Sequence, residues 1–130
     1  MKDLPIINNW ENLLDYLKVS IGSLNKENFR VIYMNKRYRL IAEDLQNFGT
    51  VDQTPIYVRE IIRRALLIGS TSIVISHNHP SGDIQPSSSD MFLTRQLAEA
   101  CKSIGIELID HIIITFSSYF SFKENRLLLE

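Results

Sequence analysis

Two imidazoles two positions apart, His77 and His79, open the stretch His77-Asn78-His79-Pro80-Ser81-Gly82-Asp83-Ile84-Gln85-Pro86-Ser87-Ser88-Ser89-Asp90. Residues two apart on an extended chain face the same side, so both rings can aim at one point. Neutral imidazole is a good zinc ligand at roughly 2.0–2.1 Å, and a catalytic zinc typically takes three protein ligands and leaves a fourth position to water. Asp90, one helical turn after Ser87, is a natural third ligand. Water on such an ion has its pKa lowered to about 7, and a nearby carboxylate must then take and return the proton. A hydroxyl donor can stabilise the oxyanion of a tetrahedral intermediate, and Ser87 is placed for that.

Each part of this set also has a plainer explanation. Ser87-x-x-Asp90 fits a capping box in weak form, with Asp where Glu or Gln is commoner. A Ser at the N-cap and an Asp in the first turn stabilise any helix through local hydrogen bonds and the macrodipole. A lone His-x-His arises by chance. The signal lies in the whole spacing of two His, seven residues, Ser, two residues and Asp. Two other chemistries are set aside. The letters His-Asn-His are consecutive, whereas an HNH nuclease spreads its motif over a ββα unit. A zinc deaminase needs a Pro-Cys-x-x-Cys pair, and the single cysteine here is Cys101.

The elements that must position these groups follow from patterning. Ser72-Ile73-Val74-Ile75-Ser76 is a continuous apolar run of the kind that makes a central strand buried on both faces, with the histidines at its carboxyl end, where open α/β sheets tend to bind ligands. Leu93, Leu97, Ala100 and Ile104 mark a helix after the loop, stopped by Gly105. Cys101 adjoins that stripe as a small buried hydrophobe. Upstream, Ile6, Ile7, Trp10, Leu13, Leu14 and Leu17 form an apolar helical stripe, capped by Asn8 or Asn9 and ended at Gly22. Residues 29–34 and 38–42 read as a hairpin turning at Asn35-Lys36. Residues 49–55 read as a loop. Val58, Ile61, Ile62, Ala65 and Leu66 give a second helix ended by Gly69, with Glu60 and Arg64 spaced as a surface ion pair. Residues 107–115 read as a buried strand, and 119–122 as a short final one. The order helix, hairpin, helix, strand, helix, strand, strand predicts an α/β fold of two or three layers, a single-domain mixed β-sheet with flanking helices.

At 130 residues and a formal net charge of −1, the chain has the size of one domain and no global attraction to nucleic acid or acidic lipid. Its N-terminus has no signal-peptide core, and no apolar run approaches a membrane span. The lone cysteine suits a reducing compartment. These totals predict a cytoplasmic, soluble, one-domain protein with no membrane partner.

The string His77-x-His79-x7-Ser87-x2-Asp90 resembles the JAMM motif of the JAB/MPN metalloprotease superfamily. With Pro80, Ser81, Gly82 and Pro86 it resembles the RadC branch. Glu27-x-Phe29, Gly49-Thr50-Val51, Arg59-Glu60-Ile61, Leu108-Ile109-Asp110-His111-Ile112-Ile113 and Ser121-Phe122-x-Glu124 agree with that branch. The resemblance covers residues 25–130 and sets off 1–24 as an N-terminal docking helix. It implies a cytidine-deaminase-like JAB/MPN fold, one zinc per chain held by His77, His79 and Asp90, Ser87 as oxyanion donor, and a glutamate general base. Glu27 matches that base by its place before the first strand, and Glu60 is the runner-up. The implied reaction is hydrolysis of a peptide or isopeptide bond in a peptide or protein substrate. The alternative is a non-catalytic, metal-bound module that binds DNA or protein. The family carries a DNA-repair label, to which the composition adds no support. Much of the superfamily has Ser or Thr between the two histidines, and this chain has Asn78, as RadC-like members do. His111 lies outside the motif and reads as a core histidine or one that supports a ligand.

Overall fold

In the computed structural model, residues 10–21, 25–46 and 54–128 are described. The element order is α1 (Trp10–Ile21), β1 (Phe29–Met34), β2 (Leu40–Gln46), α2 (Thr54–Ile68), β3 (Ser72–Asn78), α3 (Ser88–Ser103), β4 (Glu107–Ile114) and β5 (Tyr119–Ser121). The five strands form one mixed sheet in the order β2-β1-β3-β4-β5. Only β3 and β4 run parallel; β1 is antiparallel to both of its neighbours, and β5 is antiparallel to β4. The expected calls on Ile6, Ile7, Asn8, Asn9, Gly22 and residues 49–53 lie outside the described residues.

The strand alternation sorts side chains into two cores, and the fold is three-layered. Leu13, Leu14 and Leu17 of α1 pack on Ile32, Met34, Val74, Ile112 and Ile114 on one face of the sheet. Ile61 and Ala65 of α2, with Leu93, Leu97 and Cys101 of α3, pack on Phe29, Val31, Tyr33, Ile73 and Ile75 on the other. β3 lies between them and is buried at all seven positions, as an unbroken apolar run requires. Cys101 is free and buried, and burial pushes its thiol up to about 12. Polar ties supplement α1's packing: Tyr16 donates to Glu43 on β2, and Glu43 also pairs with Arg30 of β1 at 2.7 Å.

Local details depart from the sequence expectation for identifiable reasons. The hairpin turn is longer than two residues: Asn35 accepts at its side chain from the N–H groups of Arg37 and Arg39, and Tyr38 adopts φ 58°. β2 therefore starts at Leu40 and runs to Gln46. The helix α2 takes in Thr54 and Pro55, since proline is tolerated in a first turn where no intrahelical N–H bond is lost. Gly69 (φ 73°) and Gly105 (φ 75°) follow α2 and α3 in the left-handed conformation that a glycine stop provides. Arg64 pairs with Asp44 at 3.1 Å, not with Glu60, which instead lies 3.9 Å from Arg63. The sheet edge offered Arg64 a carboxylate that helix spacing could not anticipate.

One irregularity decides what β4 presents. Ile73 pairs with Leu108, but Val74 pairs with Asp110, so β4 carries one extra residue at Ile109. Leu108 packs on the α2/α3 face, whereas Ile109, Ile112 and Ile114 pack on the α1 face. An unbroken alternation from Leu108 would send Asp110 to the α2/α3 side. The bulge reverses the phase and sends His111 there instead, the re-aiming that bulges produce beside functional sites. Asp110 is left fully buried, accepting from the His111 and Lys123 amides at 2.7 and 2.9 Å and from the Ser121 hydroxyl. Burial raises its pKa, against the opposing pull of those donors. It thereby staples β5 and the turn after it to β4. Asp110→Ala strands three donors, and we expect a loss of about 3 kcal/mol in urea denaturation at neutral pH. A loss below about 1 kcal/mol would show that the staple is dispensable.

Candidate metal centre

His77 is the penultimate residue of β3 and is completely buried, its ring stacked on Phe29 of the neighbouring strand at 5.3 Å and 8° between planes. His79 follows the strand end and is half-buried, its backbone N–H donating to Ile114 at 3.0 Å. Asp90 comes from the first turn of α3. The cap that the sequence suggested is formed in full: the Asp90 amide donates to Ser87 Oγ at 3.0 Å, and the Ser87 amide donates to Asp90 Oδ2 at 2.8 Å. The capping and ligand readings of Ser87-x-x-Asp90 are therefore compatible, because the cap is what turns the carboxylate toward the histidines.

The three groups converge. His77 Nε2 lies 2.9 Å from His79 Nε2 and 3.2 Å from Asp90 Oδ1, and His79 Nε2 lies 3.4 Å from Asp90 Oδ2. Ligands of a tetrahedral ion bound at 2.0–2.1 Å are about 3.3 Å apart, so these spacings fit three corners of such a shell. The hydrogen bonding agrees. His79 Nδ1 lies 2.7 Å from the Asp83 carbonyl oxygen, which can only accept. Nδ1 therefore carries the proton, and a neutral His79 points the lone pair of Nε2 at His77 and the carboxylate. A lone pair and a carboxylate aimed at His77 Nε2 at these distances suit one shared positive charge, a proton on His77 or a metal ion in its place.

His111 joins the cluster from β4, where the bulge placed it. Its Nε2 lies 2.9 Å from His77 Nδ1, and its ring stacks on Phe122 at 4.5 Å. His77, Asp90 and His111 form a buried group able to hold a metal ion. Of the two overlapping triads, the one with His79 has the tighter ligand geometry, because His111 meets the nitrogen of His77 that faces away from His79 and Asp90. Burial, reinforced by His77, holds His111 well below the ordinary histidine pKa. For Asp90, burial opposes ionisation, but the His77 hydrogen bond and charge, the Ser87 amide and His111 outweigh it and hold the carboxyl well below the usual range.

Glu27 is exposed and precedes β1 by two residues. β1 pairs with β3 so that Phe29 sits opposite His77, and continuing that register puts Glu27 level with His79. The residue between the histidines holds this segment. Asn78 is buried, accepts from the Asn28 amide at 2.5 Å and donates to the Lys26 carbonyl at 2.9 Å. Its amide thus brackets Glu27 on both sides, a bridge of 50 residues in sequence that a Ser or Thr side chain is too short to make in this form. Glu60 stands exposed on α2 beside Arg63. A cleft of about 860 Å³ between α2 and α3, lined by Val58, Ile62, Leu66 and Ala100 among others, includes none of the three histidines.

Two outcomes are expected. In Asn78→Ala the Asn28 amide should exchange its hydrogen roughly tenfold faster, matching a lost buried hydrogen bond of about 1–1.5 kcal/mol; unchanged exchange would remove the clamp. In metal-free protein, the depressed Asp90 carboxyl supplies stability that is present above its unfolded pKa of about 3.9 and is lost as pH falls. Asp90→Asn should therefore show a shallower acid loss of stability than the parent, followed by denaturant titration from pH 6 down to 3.

The protein-family model described as the RadC-like JAB domain matches residues 7–127. That span takes in α1, all five strands and every residue of the cluster, so the chain belongs to the RadC-like JAB domain family.

Proposed function

We propose that this protein is a zinc-dependent hydrolase of the JAMM metalloprotease type, cleaving a peptide or isopeptide bond in a peptide or protein substrate. The observation that carries the reading is the convergence of His77 Nε2, His79 Nε2 and the Asp90 carboxylate at the carboxyl end of the central strand. Zinc bound there would supply Lewis acidity, activating water and polarising a carbonyl. His77, His79 and Asp90 hold that position. Glu27, steadied by Asn78, takes the proton from the attacking water and returns it to the leaving amine. The Ser87 hydroxyl, which accepts from the Asp90 amide, keeps its own proton available to donate to an oxyanion. Glu27 is preferred to Glu60 as the base because continuing the β1–β3 register sets it level with His79, whereas Glu60 lies beside Arg63 on α2. The free, buried Cys101 fits a reducing, cytoplasmic setting, and no helix among the described residues is long and apolar enough to cross a membrane.

Protein purified without chelator should contain about one zinc per chain, and His77→Ala or Asp90→Ala should lose it. Glu27→Gln should keep the metal and the fold while cleavage of a peptide and isopeptide library falls by at least about 100-fold. Absence of metal in the parent protein, or undiminished cleavage by Glu27→Gln, would sink the reading. Retained zinc with no cleavage of any substrate by the parent would favour a metal-bound binding module instead.

A further inference from the structure

His111 lies outside the ligand triad, yet it is wholly buried and touches one of its members. A chain of polar contacts runs through it. Thr94 Oγ1 donates to the Asp90 carbonyl at 2.7 Å, and it also contacts His111 Nδ1. His111 Nε2 contacts His77 Nδ1 at 2.9 Å. The direction of these bonds follows from proton counting. A carbonyl oxygen only accepts, so the single hydroxyl proton of Thr94 is committed to Asp90. Thr94 Oγ1 must then accept from His111, which places the proton of a neutral His111 on Nδ1. His111 Nε2 is left as an acceptor, and His77 Nδ1 must donate to it. The remaining nitrogen of His77, Nε2, is the one that faces His79 and Asp90.

We propose that Thr94 and His111 are positioning residues that fix His77 as the tautomer able to coordinate metal through Nε2. The proposal rests on the metal reading above. A hydrogen bond to the far nitrogen of a ligating histidine commonly sets its tautomer and basicity, and its loss costs about 10–100-fold in metal affinity. Here the acceptor is a second imidazole, and the chain returns to the backbone of Asp90, which is itself a ligand. The loop of contacts therefore joins β3, β4 and the first turn of α3. Phe29 on His77 and Phe122 on His111 close the ring faces, so water has little access to substitute for the missing partner.

The test is zinc affinity, measured by competition with a chromophoric chelator. His111→Phe keeps an aromatic ring beside Phe122 but cannot accept, and it should bind zinc about 10–100-fold more weakly. His111→Gln can restore an acceptor near the Nε2 position and should recover most of that loss. Thr94→Val should weaken binding, and Thr94→Ser should restore it; this pair guards against a fold defect in the His111 variants. Nitrogen-15 NMR of metal-free protein should show His111 protonated on Nδ1. Equal affinity in His111→Phe and parent, or His111 protonated on Nε2, overturns the proposal while leaving the metal reading intact. His111→Gln as weak as His111→Phe also overturns it, because the imidazole itself is then needed as a ligand or as packing. A parent protein that binds no zinc overturns both.

Discussion

The crowding of polar groups around one buried point governs this structure. Two imidazole nitrogens and a carboxylate stand about 3 Å from one another at the end of a buried strand, an arrangement that water would normally dissolve apart. The surrounding fold resists that separation at each point. Phe29 covers one face of His77, the Asp83 carbonyl pins the ring of His79, and the Ser87 amide holds one oxygen of Asp90 while the other faces His77. None of these contacts brings in positive charge of its own. Together they prevent the groups from turning away, so the group able to hold a metal ion is already arranged for one. Such preorganisation separates a binding centre from polar residues that happen to be near one another.

Asp90 is the shared element. Its backbone N–H and side chain complete the cap of α3, its carbonyl accepts from Thr94, and its carboxylate faces both motif histidines. Helix start and histidine cluster are therefore not separable features of the chain. The sequence left a choice between a cap and a ligand because local spacing is identical for the two; in the tertiary structure the carboxylate that completes the cap is the one that faces both histidines.

Much of the architecture could be read from residue patterns because those patterns report burial. The run Ile73-Val74-Ile75 marked the central strand, and the stripes ending at Gly69 and Gly105 marked α2 and α3. The histidines and Asp90 were legible through spacing, since a strand end and a helix start joined by a loop repeat the same offsets wherever they occur. What could not be read depends on pairing across the sheet. The partner of Arg64 is on β2, the clamp on residues 26–28 comes from Asn78 some 50 positions away, and the facing of His111 depends on how β4 registers against β3. Nothing within 107–114 itself distinguishes an unbroken strand from one with an extra residue, because Ile, Asp and His can each face either side until the neighbours are known.

The extra residue at Ile109 also bears on how this chain can change over generations. Insertions and deletions are ordinarily absorbed in surface loops. Removing Ile109 would close the bulge and keep Val74 opposite Asp110, so Asp110 and His111 would hold their present sides. Straightening the strand at its present length would instead put a carboxylate in the histidine cluster and an imidazole among the donors of Ser121 and Lys123, two losses from one event. β4 can therefore shed the residue at Ile109, whereas realignment without that loss is closed to it.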